Sequence, residues 1–151
     1  MQTILNKQAH FDYEILEKFT AGLVLFGHEV KSIRAGQMNL KGAYVTIKHS
    51  QTPELFLTNA NVSKYKSAGS LPDYDPTRPR KLLVTKKEVQ YLVRKLDQKG
   101  LTLVPLSVYI KQNLIKLDFG LAKGKKNFEK KESLKQKDID RDVKRTLRQY
   151  R

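Results

Sequence analysis

Residues 114–122, Leu-Ile-Lys-Leu-Asp-Phe-Gly-Leu-Ala, alternate between apolar and polar side chains. The apolar members fall on one face: Ile115, Leu117, Phe119 and Leu121. Lys116 and Asp118 fall on the other face. This period of two is typical of a strand with one buried side. The preceding segment Leu101–Ile110 is rich in strand-favouring residues, so the sequence predicts two successive strands here.

The first half of the chain contains further strand patterns. We expect strands over Phe11–Phe19, ended by Gly22, and over Leu23–Ile33, where Gly27 would mark a bulge or barrel corner. Residues 43–47 alternate, and Leu55–Leu57 follows after a turn. Five or six short strands with one inserted helix predict a mainly β fold. The specific expectation is a small closed antiparallel barrel of the OB type, with peripheral helices and a basic C-terminal tail.

The inserted helix has the clearest local signals. Thr85 and Glu88 form a capping box, and Gly100 is expected to end the helix. Its apolar residues recur at helical spacing: Val89, Leu92, Val93 and Leu96. The stretch Asn61–Arg80, with three prolines, is expected to be a long irregular loop, a feature that is usually functional or disordered.

Charge divides the chain into two parts. Its net charge is +15, with 30 basic and 15 acidic residues, which favours an anionic partner and nucleic acid above all. Residues 123–151 hold twelve basic and five acidic residues. We therefore expect a folded domain at 1–122 and a basic tail at 123–151. The tail is expected to be disordered when free and helical when bound, because its apolar stripe is narrow.

Several function classes have little support. Because there is no cysteine, the sequence excludes disulfides, thiolate zinc sites and a cysteine nucleophile. The three histidines are scattered and match no metal motif, and no catalytic or phosphate-loop motif is present. We therefore expect no enzyme activity, no metal and no cofactor. No apolar run is long enough to span a membrane and no secretory signal is evident, so a cytoplasmic protein is expected.

Six motifs in order resemble the SsrA-binding protein (SmpB) family. They are Asn6–Tyr13, Ala21–Gly36, Asn39-Leu40, Asp75–Leu83, Lys99–Pro105 and Gly120–Lys126. The resemblance implies an OB-like barrel that binds the tRNA-like domain of transfer-messenger RNA and has no enzymatic activity. It further implies delivery of that RNA, charged with alanine and carried by elongation factor Tu, to stalled ribosomes for trans-translation. A monomer is the expected state.

The resemblance also implies site residues. RNA contacts are expected at Asn6, Lys7, His10, Lys31, Arg34, Arg78, Arg80, Lys81, Leu83 and Lys123. The tail would occupy the empty messenger channel near the decoding centre through Lys125, Lys126, Lys130, Lys131, Lys135, Lys137, Arg141, Lys144, Arg145 and Arg148. This chain departs from the family pattern at Thr20, where many members carry Glu. It departs again at Phe128–Lys131, where an Arg is replaced.

Two alternatives remain at the level of the sequence. One is a ribosomal or initiation-factor-like OB protein with a basic extension. The other is a membrane-surface protein that uses the stripe Ile139, Val143 and Leu147. That stripe contains no Trp and predicts weak partitioning into lipid.

Overall fold

The structure, a computed structural model, describes residues 3–125 and Arg141. Its strands are β1 (Ile4–Leu5), β2 (Tyr13–Leu23), β3 (Met38–Asn39), β4 (Tyr44–Lys48), β5 (Glu54–Thr58), β6 (Asn61–Val62), β7 (Arg80–Leu83), β8 (Leu101–Lys111) and β9 (Leu114–Gly124). Its helices are α1 (Ala9–Asp12), α2 (Gly27–Arg34) and α3 (Lys86–Leu96), with a 3-10 turn at Lys66–Ala68. The prediction of a mainly β fold is confirmed.

Seven strands form one antiparallel sheet in the order β1-β8-β9-β2-β7-β5-β4, and β3 pairs separately with β6. The predicted closed barrel is wrong, because the two edge strands, β1 and β4, do not pair with each other. The free edge of β8 is instead occupied by the N-terminal segment, in which β1 pairs with Ser107 and Val108. The amide of Asn6 continues this pairing by donating to the carbonyl of Leu106 at 2.8 Å. Strand β4 therefore packs near β8 without joining it.

The predicted strand pair at 101–122 is confirmed as the hairpin of β8 and β9. Its two-residue turn places Gln112 and Asn113 at φ of 52° and 64°, as a tight hairpin turn requires. The apolar face of β9 lies in the core, where Leu117 and Phe119 are fully buried. Phe119 packs on Phe19 of β2, with ring centroids 5.6 Å apart.

Both neighbours of β9 bulge within two residues of Gly120. The register of β2 shifts between Ile15 and Glu17, and that of β8 shifts between Pro105 and Ser107. A bulge re-aims side chains, and here Ile15 and Leu106 cover Gly120 from outside the main core. They belong to a small second cluster with α1. At this end of the sheet, the second cluster therefore covers the residues that point away from the main core. At the other end, the corresponding residues face solvent.

The predicted strand over Leu23–Ile33 is wrong. Strand β2 runs through Gly22 to Leu23, and Gly27 is the first residue of α2 rather than a bulge. Helix α2 buries Glu29, Ser32 and Ile33, which lie three and four positions apart. Because two of these buried residues are polar, the helical period is hidden from an apolar pattern.

Helix α3 confirms Thr85 as its N-cap, but only one half of the predicted capping box is present, because the Glu88 carboxylate bonds to the Thr85 hydroxyl and not to its backbone amide. The amide of Glu88 donates to the Thr85 hydroxyl at 3.2 Å, and that hydroxyl donates to the Glu88 carboxylate at 2.9 Å. The helix ends at Leu96, whereas Gly100, with φ of 86°, lies in the turn before β8 and does not cap it. The predicted irregular stretch contains β6 and one 3-10 turn, and none of its other residues before β7 lies in a helix or strand.

Replacement of Gly120 by Ala is expected to destabilise the fold. The new Cβ would lie 2.8 Å from Cγ2 of Ile15 and 3.3 Å from the carbonyl oxygen of Glu17. Overpacking of this kind costs about 1–3 kcal/mol of unfolding free energy, measured by urea denaturation. Gly124→Ala in the same strand is the matched control, because nothing lies within 4 Å of its Cβ position. Equal stability of the two variants would contradict the packing described here.

Candidate nucleic-acid interface

The open end of the sheet presents a basic and partly apolar surface. We define the outer sheet face as the side of strands β7, β2, β9 and β8 that points away from the core. It comprises Lys18, Thr20, Gly22, Val24, Lys81, Leu83, Ser107, Tyr109, Lys111, Leu114, Lys116 and Asp118. Strand alternation places these residues opposite the buried Ala21, Leu82 and Leu117.

Gly22 lies at the centre of the outer sheet face. It pairs with Leu83 of β7 on one side and with Lys116 of β9 on the other. The Leu83 side chain leans over the glycine, with Cδ1 3.5 Å from the position that a Cβ would take, yet 56% of Leu83 is exposed. A shallow apolar spot beside an ammonium group can receive an unstacked base and a phosphate together.

A hydrogen-bonded cluster lies next to this spot. Asp118 pairs with Thr20 across the strands, and the Thr20 hydroxyl donates to Oδ1 of Asp118 at 2.8 Å. The Tyr109 hydroxyl donates to the same oxygen at 2.9 Å. Burial, followed by this hydrogen bond, raises the pKa of Tyr109, so its hydroxyl stays protonated at neutral pH.

Beyond the sheet, Glu29 of α2 binds two arginines from the end of the long loop. Arg80 donates to Oε2 of Glu29 from Nε at 3.0 Å and from Nη2 at 2.6 Å, and both side chains are fully buried. Arg78 donates to both carboxylate oxygens, from Nε to Oε2 at 3.2 Å and from Nη2 to Oε1. The amide of Phe26 donates to Oε1 at 2.9 Å. The carboxylate thereby joins α2 to β7.

Burial alone would raise the pKa of Glu29, but its partners reverse this effect. Hydrogen bonds from Arg78, from the amide of Phe26 and from Arg80, together with the charge of Arg80, lower the pKa from 4.5 to about 2. Glu29 is therefore ionised throughout the physiological range.

Arg78 also extends the basic surface of the protein from the outer sheet face toward α2. The Arg78 guanidinium lies 4.1 Å from the ring centroid of Phe26, whose ring is itself stacked on His28 at 5.7 Å. Phe26 is more than half exposed, and it lies two positions after Val24, an exposed member of the outer sheet face. A cation held over an exposed aromatic ring is a common element of RNA-binding surfaces.

At the covered end of the sheet, Lys125, the residue directly after β9, is attached to α1. The amide of Lys125 donates to the carbonyl of Asp12 at 2.9 Å, and its ammonium donates to the carbonyl of His10 at 2.8 Å. Lys123 pairs with Glu14 in the sheet. The basic residues at the end of β9 are thus fixed beside the N-terminal segment.

Comparison with known proteins identifies the family. The family described as SmpB protein matches residues 3–149. The chain belongs to the SmpB family. The SsrA-binding protein of Shouchella clausii is 50% identical over 144 residues, covering 95% of this chain and 90% of the relative. That of Acaryochloris marina is 49% identical over 143 residues, covering 95% and 91%.

A solved structure is similar over most of the chain. It is described as "tmRNA-SmpB: a journey to the center of the bacterial ribosome". The matched chain is 41% identical, with a TM-score of 0.67, and the match covers 87% of this chain and 94% of that one. This SmpB-family chain therefore shares both sequence and fold with a protein whose description names transfer-messenger RNA and the ribosome.

The predicted RNA contacts of this SmpB-family chain lie in three groups. Lys81 and Leu83 lie on the outer sheet face, and Lys31, Arg34 and Arg78 lie on α2 or against it. The third group, near the start of the tail, consists of Asn6, Lys7, His10 and Lys123. All are exposed except Asn6 and Arg78, which are partly buried, and the Asn6 side chain donates to the carbonyl of Pro105 at 2.8 Å.

One predicted contact is wrong. The Arg80 side chain has no exposed surface, and it donates to Glu29 and to the carbonyl of Ala60 at 2.7 Å. It therefore stabilises the fold and is not available to RNA. The sequence-based prediction also missed Gly22, Tyr109, Lys116 and Asp118. The outward alternation of Lys116 and Asp118 in residues 114–122 was the signal that could have revealed them.

The tail predictions fall mainly outside the described residues. Of the tail positions, the structure describes Lys125 and an exposed Arg141. Lys126, Lys130, Lys131, Lys135, Lys137, Lys144, Arg145 and Arg148 lie outside it. Within residues 3–125 and Arg141, no group of three or more potential metal-binding side chains is present. In the same part of the chain, no helix is long and apolar enough to cross a membrane.

Replacement of Glu29 by Gln is expected to destabilise the protein strongly, because it leaves the buried Arg80 without a counter-charge. Breaking a buried pair in this way costs about 3–5 kcal/mol of unfolding free energy, measured by urea denaturation. Glu54→Gln is the control, since the Glu54–Lys81 pair is exposed with an N–O distance of 3.7 Å. That change is expected to cost less than about 1 kcal/mol.

The contribution of Glu29 to the free energy of unfolding should also depend on pH. Because the folded-state pKa is below the ordinary value, the contribution is present above pH 4.5 and is lost as pH falls toward 2. Wild type should therefore lose stability over this window by an amount that Glu29→Gln does not lose. Parallel stability curves for the two proteins in this window would contradict the assignment.

Proposed function

We propose that this protein binds transfer-messenger RNA and delivers it to stalled ribosomes for trans-translation. The observation that carries the proposal is the outer sheet face, where lysines surround an exposed leucine and a tyrosine on a chain of the SmpB family. The relatives are named SsrA-binding proteins, and the similar solved structure names transfer-messenger RNA and the ribosome. The family match favours this function over that of a ribosomal or initiation-factor-like protein.

In this proposal the sheet acts as an OB-like domain, although hydrogen bonds do not close it. RNA of the tRNA-like kind is recognised through phosphates and unstacked bases, and the outer sheet face offers partners for both. Lys81, Leu83 and Lys116 are its central contacts, and Lys31, Arg34 and Arg78 extend it toward α2. The protein acts in the cytoplasm as a monomeric adaptor without a reaction of its own.

The basic residues at the other end are proposed to serve the ribosome. Lys125 fixes the chain after β9 beside His10 and Asp12, at the covered end of the sheet. The residues after Lys125 would then enter the empty messenger channel, folding as counterions are released from ribosomal RNA. The alanyl form of the RNA, carried by elongation factor Tu, would arrive with the protein.

Two substitutions on the outer sheet face should weaken binding to the tRNA-like RNA in different ways. Lys116→Gln is expected to remove about one phosphate contact, which lowers the salt dependence of log affinity by about one unit. Leu83→Ala removes exposed apolar surface, so it should lower affinity by about 1–2 kcal/mol with the salt slope unchanged. Filter binding at several salt concentrations measures both quantities.

The matched control is Lys87→Gln on α3. It removes the same charge from an exposed helix position outside the outer sheet face. Its affinity should stay close to that of wild type. If Lys87→Gln and Lys116→Gln weaken binding equally, affinity depends only on the net charge of the protein, and the proposed interface is wrong.

Deletion of residues 126–151 should separate the two proposed roles. The truncated protein keeps the Lys125 contacts with α1 and is expected to bind the tRNA-like RNA with nearly wild-type affinity. Tagging of a nascent chain on a stalled ribosome in vitro should nevertheless be lost. Loss of RNA binding by the truncated protein would contradict this division of roles.

A further inference from the structure

Asp118 carries the only negative charge among the residues of the outer sheet face. Four lysines share this face with it, and Lys116 is two positions away on the same strand. Among the described residues, no ion pair of Asp118 with a basic side chain is found. A surface that bound phosphates alone would bind them better without this carboxylate.

The two oxygens of Asp118 have different surroundings. Oδ1 accepts from the hydroxyls of Thr20 and Tyr109, whereas Oδ2 accepts no hydrogen bond from the described part of the chain. In that part of the chain, the only buried side-chain polar atom without a partner is His28 Nδ1. Oδ2 of Asp118 therefore reaches solvent, and two donors on the other oxygen fix its direction.

An oriented carboxylate oxygen selects for hydrogen-bond donors. Phosphates and carbonyl groups carry no donor and are repelled, while exocyclic amino groups of bases do carry one. In RNA these groups are accessible where a base is unpaired and unstacked. Tyr109 and Leu83, on either side of the Gly22–Lys116 pair, provide surface against which such a base can lie.

We infer that Asp118, positioned by Thr20 and Tyr109, accepts a hydrogen bond from the exocyclic amino group of an unpaired adenine, guanine or cytosine in the bound RNA. Asp118 then confers base preference, while the neighbouring lysines bind phosphates. The inference rests on the proposed function, because it concerns the same face and the same RNA.

The first test uses the sign of the effect of Asp118→Asn on affinity for the tRNA-like domain of transfer-messenger RNA. The substitution makes the net charge one unit more positive, so electrostatics alone predicts tighter binding. Loss of a charge-assisted hydrogen bond predicts binding about tenfold weaker. Glu14→Gln is the matched control, because it changes the charge equally in β2 at the covered end of the sheet.

The second test identifies the base. Single unpaired guanosines are replaced by inosine, adenosines by purine riboside and cytidines by uridine, each of which lacks the exocyclic amino group. At one position wild type should lose about tenfold in affinity, and Asp118→Asn should lose nothing further there. The three possible bases are distinguished by which replacement has this effect. Additive losses at every position would overturn the inference.

Two further variants test the positioning hydroxyls, and they remain informative if Asp118→Asn fails to fold. Thr20→Val and Tyr109→Phe each remove one donor to Oδ1, and each should reduce the sensitivity to the same base replacement. Unchanged or tighter binding by Asp118→Asn, or full base sensitivity in both hydroxyl variants, would overturn the inference. Failure of wild type to bind the RNA would instead overturn the proposed function.

Discussion

The carboxylate of Glu29, buried at the start of α2, binds Arg78 and Arg80 from the far end of a long irregular loop. Removing two ions from water is costly, and the cost is offset here because nearly every donor is satisfied. The pair fixes α2 against β7, and β7 in turn aligns Leu83 with Gly22. The outer sheet face therefore depends on the Glu29–Arg80 ion pair, whose two side chains have no exposed surface.

The sequence predicted the elements that local interactions define, and it missed those that depend on residues distant along the chain. The β8–β9 hairpin and helix α3 were predicted because alternation, capping and turn signals are local. Helix α2 was missed because its buried face includes Glu29 and Ser32, which an apolar pattern does not register. Arg80 was assigned to RNA because its partner lies 51 positions away in sequence. A basic residue in a motif looks the same whether it faces a phosphate or a buried carboxylate.

Identifying the candidate site required both the sequence and the strand order of the structure. Lys81 and Leu83 were predicted from a resemblance to a known family, but their neighbours across the sheet were not. Lys116 and Asp118 could be assigned to the polar side of a strand, yet only the strand order showed that this side adjoins β7 through β2. Thr20 acquires a role in the same way, because the register places its hydroxyl on Asp118. A single sequence does not show which residues far apart along the chain pair with each other in a sheet.

The two bulges beside Gly120 divide one sheet into a covered end and an open end. At the covered end, an added methyl group meets Ile15, so the sequence there is tightly limited by packing. At the open end, exposed side chains contribute little to stability, typically within about 0.5 kcal/mol. Mutations at its exposed positions, such as Lys18, Lys81 and Leu83, can therefore accumulate without unfolding the protein. The architecture leaves binding preference at these positions free to evolve while the scaffold stays constant.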